Sequence, residues 1–313
     1  MSIERIPVSN REEWLKLRQQ DVTASVAGAL LGVHEYVTPF ALWALKSGAL
    51  GTAEDPEETA AMKRGRLLEP VAVQLLKEQY PKWQIQHGGT YLRDTEARLG
   101  ATPDLFVQCP ERGRGVVQIK SVEQSVFRHK WRDEEGVSPP LWIAVQGILE
   151  AYLDGATWAA VAPLVVGFGI DCQLIDIPIH AGVIDKLKAR TAEFWQMIER
   201  NEAPPADYAK DGEVLAAIYA STADGVIVDL SDDNMLPMIC AEDEQLAEQE
   251  KTIGKRRKEI KAEIIAKLGA AEGATCQGWS ISAKTVVRKS YIVPETSYRS
   301  IRKKRLRELE KAS

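Results

Sequence analysis

Residues 100–120 read GATPDLFVQCPERGRGVVQIK, and two short motifs within them indicate how the chain folds. Apolar runs at 99–107 and 115–122 predict two strands joined by a turn-rich loop at 110–115. Asp104 follows a proline in the first run, and Gln118 and Lys120 share one face of the second run because side chains alternate along a strand. The motifs therefore predict that an acid, an amide and an ammonium group meet at one point.

The composition is that of a globular protein of the cytoplasm. The 313 residues suffice for one α/β domain of about 200 residues plus a tail. The four cysteines are far apart and show no C-x-x-C spacing, so we expect reduced thiols. We also expect no signal peptide and no membrane helix, since no run approaches the roughly eighteen uninterrupted apolar residues that such a helix needs.

The charge is unevenly distributed along the chain. A formal charge of −5 argues against a uniformly basic nucleic-acid binder. Basic residues nevertheless gather in short clusters, which permits an electropositive channel on an acidic body.

Apolar periodicity and chain breakers predict two regions, 1–205 and 206–313. In the first region we expect helices at about 11–20, 57–80, 140–153 and 181–200, and further strands at 90–93, 158–166 and 172–179. This order predicts an α/β fold with a mixed central sheet flanked by helices. In the second region we expect a long amphipathic helix at about 241–268, a hairpin around 279–293 and a basic run at 299–307 that is either a solvated face or a contact with DNA or a partner protein.

Four polar side chains are expected to converge on one cleft: Glu69, Asp104, Gln118 and Lys120. Glu69 lies beside the apolar stripe of the helix at 57–80, where an acid needs a partner, either Arg66 or a metal ion. Oxygen ligands suit Mg²⁺, which binds proteins through one or two carboxylates and keeps several waters. In phosphodiester hydrolysis such an ion lowers the pKa of the attacking water, and a second ion about 3.5–4 Å away stabilises the leaving oxygen. Lys120 is expected to orient that water.

Six sequence blocks occur in one order that is typical of a known family. They are WLKLR at 14–18, VTAS at 22–25, RGRLLE at 64–69, ATPD at 101–104, VQIK at 117–120 and a glutamine-bearing helix. Over about residues 11–200 the chain resembles the phage lambda-type alkaline exonucleases, also called YqaJ-like viral recombinases, within the PD-(D/E)XK nucleases. The resemblance implies a restriction-endonuclease-like core and a Mg²⁺-dependent exonuclease that digests one strand of duplex DNA from its 5′ end, leaving a 3′ single strand for recombination.

The resemblance also assigns roles to residues of this chain. It makes Glu69, Asp104, Gln118 and the Ile119 carbonyl metal ligands, Lys120 the catalytic lysine and Gln146 a member of the catalytic set. It places the terminal 5′ phosphate among Arg18, Thr23, Ser25 and Thr102, where a guanidinium fork and free backbone donors at a helix N-terminus suit that group.

Cofactor, partners and location follow from the same resemblance. It implies two Mg²⁺ ions, for which Mn²⁺ is an expected substitute. The expected partners are double-stranded DNA ends and a single-strand annealing recombinase protein. The family implies a ring-shaped homotrimer, and a phage or prophage protein working in the bacterial cytoplasm.

Two positions depart from the family pattern. Gln118 stands where the motif expects Glu, so the site loses one formal negative charge, although an amide oxygen still ligates a hard cation. Ile148 stands where the family often has a second glutamine after Gln146. Glu150, one turn beyond Gln146, either supplies the missing charge or faces solvent. A natural variant, a compensated site and an engineered inactivation stay open, and two alternative functions remain: a structure-specific endonuclease of the same superfamily, and a non-catalytic DNA-end-binding protein.

Overall fold

The computed structural model describes residues 3–51, 59–132, 134, 136–222 and 225–287. Contacts divide the chain into two units, Met1–Ile218 and Tyr219–Ser313. Residues 206–218, which the sequence analysis groups with the C-terminal region, pack within the first unit, where the Thr38 hydroxyl donates to Asp211 Oδ1 at 2.6 Å. The predicted basic run at 299–307 lies outside the described residues.

The strands of the first unit form two sheets in the described part of the chain. Their bounds are β1 Ile3–Pro7, β2 Val22–Thr23, β3 Gln84–His87, β4 Thr90–Asp94, β5 Leu99–Ala101, β6 Leu105–Cys109, β7 Gly113–Glu123, β8 Trp158–Val166, β9 Ile170–Cys172 and β10 Ile175–Ile177. One sheet has the order β1-β4-β5-β2; the other has the order β10-β8-β7-β6-β3, with β9 also paired to β8. β7 and β8 are parallel and their neighbours are antiparallel, so the predicted mixed sheet is confirmed.

Helices cover both faces of the larger sheet. The helices of the first unit are α1 Arg11–Gln20, α2 Ala24–Ala27, α3 Pro39–Ser47, α4 Ala60–Gln79, α5 Gln124–Lys130, α6 Leu141–Asp154, α7 Ala181–Glu199 and α8 Gly212–Ile218. Alternate residues of β7 face opposite ways: Val117 packs in one buried cluster with Leu76 of α4, and Val116 packs in another with Leu149 of α6. The site residues of β7 are thus held between two helices.

The predicted strand at 99–107 is wrong in one respect, because residues 102–104 interrupt it. β5 ends at Ala101, β6 begins at Leu105, and the two strands belong to different sheets. Pro103 has no N–H to give to a ladder, which explains why pairing stops there. The chain therefore crosses from one sheet to the other at residues 102–104, and this crossing places the acid immediately before β6.

The helix expected at about 57–80 is one continuous helix, although it contains two residues that disfavour helix. α4 runs from Ala60 to Gln79 with Gly65 and Pro70 inside it. Pro70 removes one intrahelical hydrogen bond. The helix continues because Ala72, Val73 and Leu76 are buried against the sheet, and packing of an apolar face outweighs a single local break.

Smaller corrections concern strands that the sequence did not reveal or misplaced. β1 and β3 were not expected, and both pair through residues distant in sequence. Within the strand expected at 172–179, the structure has the shorter β10, and β9 precedes it; both are antiparallel to β8.

The second unit, within its described residues, consists of a long helix and a hairpin. α9 spans Met235–Leu268, starting six residues before the expected position. The hairpin pairs β11 Gly273–Cys276 with β12 Trp279–Ser282, so its turn precedes Trp279 rather than following it. Across the described residues of the whole chain, no helix is both long and apolar enough to cross a membrane.

Candidate active site

A polar cleft of about 430 Å³ opens beside the crossing at Asp104. It is bounded by the start of α2, by α4, by β7 and by α6. Every residue that the sequence analysis assigns to the site lines this cleft: Arg18, Thr23, Ser25, Glu69, Thr102, Asp104, Gln118, Ile119, Lys120 and Gln146. The predicted spatial convergence is therefore observed, while the chemical role of each residue stays a prediction.

Asp104, just before the start of β6, continues the hydrogen bonding to β7 through its side chain. The last paired residues are Leu105 and Val117. Just beyond them, Asp104 Oδ2 accepts from the Ile119 N–H at 2.7 Å and from Gln118 Nε2 at 2.5 Å. The N–H and C=O of one residue in a strand point to the same edge, so the Ile119 carbonyl also faces the side on which Asp104 lies.

The surroundings of Asp104 disfavour the charged form of its carboxyl group. Desolvation raises its pKa well above the ordinary value; the Lys120 charge and the Ile119 hydrogen bond oppose this shift, and the Glu69 charge adds to it. Glu69 itself is partly exposed, and its Oε1 lies 3.6 Å from Nε2 of His87. A positive group at the cleft would stabilise both acids.

Lys120 leads into a chain of hydrogen bonds on α6. Its Nζ donates to Gln146 Oε1 at 3.0 Å, and Gln146 Nε2 donates to Glu150 Oε1 at 2.9 Å. Glu150 is 1% exposed, which excludes the alternative that it faces solvent. Burial raises the pKa of Glu150, and the charge of Asp104 raises it further.

Two buried acceptor oxygens at the cleft have no hydrogen-bond donor among the described residues. They are Oε1 of Gln118 and Oε2 of Glu150. A buried carboxylate or amide oxygen without a partner costs free energy. An acceptor pair of this kind is suited to a cation, which needs oxygen ligands and brings no donor hydrogen.

The residues of the predicted phosphate pocket line the same cleft. Arg18 Nη2 donates to Ser25 Oγ at 3.1 Å, and its guanidinium lies 4.4 Å from the ring centre of Trp14. Trp14 Nε1 donates to Thr102 Oγ1 at 3.0 Å. Thr23 precedes α2, yet its side chain makes no capping bond to the helix; its hydroxyl lies 3.3 Å from Ser25 Oγ instead. Hydroxyls and a guanidinium thus share one small region.

Comparison with known proteins gives a family match for the region that forms this cleft. Residues 13–153 match the model of the YqaJ-like viral recombinase domain. This region of the chain is therefore similar to that domain. The expected resemblance is confirmed, and all ten predicted site residues fall within the matched range.

The similar proteins are distant from this chain in sequence. The chain is 25% identical over 225 residues to the uncharacterized protein YqaJ of Bacillus subtilis (strain 168), covering 71% of this chain and 67% of the relative. It is also similar to the crystal structure of an alkaline exonuclease (LHK-Exo) from Laribacter hongkongensis, with 20% identity, a TM-score of 0.47, and coverage of 66% of this chain and 99% of the other. A phage-related exonuclease from Haemophilus somnus 129PT gives 12% identity, a TM-score of 0.42, and coverage of 58% and 94%.

Three residues in the cleft or in contact with it were not predicted as site residues. Trp14 belongs to the motif at 14–18, and its spacing from Arg18, i and i+4 on one helix, is the signal that the two side chains touch. His87 belongs to a strand that the pattern did not reveal. Glu150 was recognised only as an alternative, because the periodicity of α6 shows which residues share its face but not what covers that face.

The residues present fit a hard divalent cation of the kind Mg²⁺ represents. No three His, Cys, Asp or Glu side chains within the described ranges are grouped closely enough to hold a metal by themselves. Mg²⁺ does not require such a cage, since it binds through one or two carboxylates and completes its shell with waters and substrate phosphate. Asp104, the unpartnered Gln118 oxygen and the Ile119 carbonyl supply oxygen donors of this class.

Proposed function

We propose that this protein is a Mg²⁺-dependent nuclease that digests one strand of double-stranded DNA from its 5′ end and leaves a 3′ single strand for recombination. The observation that carries the proposal is that Asp104, Gln118 and Lys120 line one cleft together with the predicted phosphate pocket, which contains Arg18 and Ser25. The match of residues 13–153 to the YqaJ-like viral recombinase domain accords with it.

Each residue has a distinct task in this proposal. Asp104, Gln118, the Ile119 carbonyl and Glu69 hold two Mg²⁺ ions, for which Mn²⁺ substitutes. When bound, the metal supplies a lowered pKa for the attacking water and neutralises charge on the scissile phosphate. Lys120 holds that water in line by hydrogen bonding, and Gln146 orients the Lys120 ammonium, as their 3.0 Å contact indicates.

The Arg18 pocket explains the choice of DNA end. A terminal 5′ phosphate carries more charge than an internal phosphodiester, and the planar guanidinium fork recognises phosphate in two hydrogen bonds. The hydroxyls of Thr23, Ser25 and Thr102 donate to the remaining oxygens. A strand seated there presents its first phosphodiester to the metal site.

Assembly and partners belong to the same proposal. We expect a homotrimer around the DNA and a single-strand annealing recombinase protein that receives the 3′ strand. Light scattering of the purified chain gives the subunit number directly.

The decisive experiment follows the two ends of a linear duplex separately. One strand carries a 5′ label and, in a second substrate, a 3′ label; each is incubated with the wild type and with Asp104→Asn, with and without Mg²⁺. We expect release of the 5′ label as a mononucleotide, retention of the 3′ label, and a loss of at least about a hundredfold in Asp104→Asn, since a metal contact contributes several kcal/mol to such a reaction. This substitution preserves the side-chain shape and leaves an oxygen for the Ile119 N–H.

Other outcomes identify the alternatives. Cleavage of a covalently closed circle indicates a structure-specific endonuclease. Binding of duplex ends without digestion, in either Mg²⁺ or Mn²⁺, indicates a DNA-end-binding protein, the alternative that the uncharged Gln118 motivates.

A further inference from the structure

The cleft has an unexplained distribution of charge. On β7, the position next to the Asp104 carboxylate holds the neutral amide of Gln118, which donates to that carboxylate. Asp104 is therefore the acid that the strand region contributes to this spot. A divalent cation bound there needs more negative charge than one carboxylate provides for tight binding.

Glu150 is a second acid whose burial has no structural explanation within the described residues. It is 1% exposed, it forms no ion pair with a lysine or arginine among those residues, and its Oε2 has no donor. Among the described residues, the Gln146 amide is the side chain that donates to its other oxygen, Oε1. A carboxylate held in this way destabilises a fold unless a positive group pairs with it.

Glu150 also lies at the same cleft as the other proposed metal ligands. Gln146 and Glu150 are four residues apart, so they lie on one face of α6, and both line the cleft that contains Asp104 and Gln118. Two acids and an amide oxygen thus surround one small volume.

We propose that Glu150 on α6 is the second anionic group of the cation site and replaces the carboxylate that β7 lacks at Gln118. This inference rests on the proposed function, because it assigns a residue to the metal site of that nuclease. Compared with a site that has Glu at position 118, this site keeps the same formal charge. The acid lies on a helix and not on a strand. The proposal also explains the hydrogen bonds that link Lys120, Gln146 and Glu150. Gln146 lies between the lysine and the acid and fixes the position of both.

The test measures Mn²⁺ affinity, by electron paramagnetic resonance of free Mn²⁺, on the full-length chain without DNA. The variants are Glu150→Gln, Asp104→Asn and the exchanged pair Gln118→Glu/Glu150→Gln. Glu96→Gln, an exposed acid in a turn, is the matched control. Circular dichroism confirms that each variant is folded.

We expect Glu150→Gln to weaken Mn²⁺ binding at least about tenfold, within the 10–100-fold range for groups that support a metal site. The exchanged pair is expected to bind within about threefold of the wild type, and Glu96→Gln to be unchanged. If Glu150→Gln fails to fold, the exchanged pair decides the matter alone. It should bind Mn²⁺ as the wild type does, because the carboxylate has returned to the strand.

Three results overturn the inference. One is unchanged affinity in Glu150→Gln while Asp104→Asn loses binding, which leaves the proposed function intact. Another is a loss in Glu150→Gln that the exchanged pair does not restore, since the effect is then one of packing rather than charge. The third, absence of Mn²⁺ binding by the wild type itself, removes the proposed function as well.

Discussion

The side chain of Arg18 is held in a defined position by its neighbours. Its guanidinium stacks on Trp14 and donates to Ser25, and these contacts keep a strongly charged group near neutral hydroxyls. Burial lowers its pKa, yet the group remains protonated at any physiological pH. In the proposed function this guanidinium binds the terminal 5′ phosphate.

Arg18→Ala is expected to lower digestion of 5′-phosphorylated duplex by about tenfold to a hundredfold, because a hydrogen bond to a charged group contributes about 1.5–3 kcal/mol. Digestion of 5′-hydroxyl duplex should change far less. Initial rates on the two substrates provide the measurement, with Arg190→Ala on α7 as the control. Equal losses on both substrates would show that Arg18 does not recognise the phosphate.

Lys46 is a second residue whose chemistry depends on its surroundings. Its Nζ donates to the Arg18 carbonyl at 2.5 Å. Burial lowers the pKa of Lys46 to about 8; the charges of Arg18 and Arg98 lower it as well, and that of Asp21 opposes them. The unfolded chain therefore binds more protons at this residue than the folded chain does between about pH 8 and the ordinary lysine value.

From that difference we predict that the contribution of Lys46 to the free energy of unfolding rises with pH from about 8 to 10, by about 2–3 kcal/mol in all. In Lys46→Met this rise should be absent. Urea unfolding of the two proteins across this range measures it as a difference, which cancels other titrating groups. Lys77→Met, at an exposed position of α4, should behave as the wild type. A parallel pH dependence in wild type and Lys46→Met contradicts the prediction.

At the scale of elements, the crossing between β5 and β6 positions the acid. The segment at 102–104 is backed by the turn before β4, where the Gly88 N–H donates to the Asp104 carbonyl at 2.8 Å. A Cβ added at Gly88 would lie 2.1 Å from the Pro103 carbonyl oxygen. Because that oxygen belongs to the backbone, it cannot rotate away.

Gly88→Ala is therefore expected to destabilise the fold by about 1–3 kcal/mol, the usual cost of overpacking, and to weaken Mn²⁺ binding by displacing Asp104. Thermal unfolding and Mn²⁺ titration measure the two effects. Gly65→Ala is the contrasting control: it lies inside α4 with nothing within 4 Å of the added Cβ, so it should stabilise the fold by about 0.5–1 kcal/mol. A Gly88→Ala protein as stable as the wild type would mean that the crossing adapts freely.

For the molecule as a whole, the hydrophobic core belongs to the first unit. Within the described part of the chain, every buried hydrophobic side chain precedes residue 200, and α9 has no buried residue. Apolar positions along α9 such as Leu246 and Ile253 are more than half exposed. Burial of apolar area is the main favourable contribution to folding.

A chain that ends at Ile218 is accordingly expected to unfold cooperatively, with a midpoint within about 3 °C of the full-length protein. It should also bind Mn²⁺ with unchanged affinity, since all the site residues precede that point. Differential scanning calorimetry and Mn²⁺ titration test both statements. Loss of cooperative unfolding would show that the second unit is required for the core.

The sequence by itself determined the strand face shared by Gln118 and Lys120, the bounds of α1 and the convergence of the site, because these depend on local alternation, local periodicity and the order of motifs. Only the tertiary structure decided that Pro103 separates two sheets, that α4 continues through Pro70, and that Glu150 is buried beside Asp104. Each of these depends on which surfaces cover one another, and those surfaces come from segments far apart in the chain. Helical periodicity places Glu150 on the face of Gln146, but only the sheet packed against that face removes the acid from water.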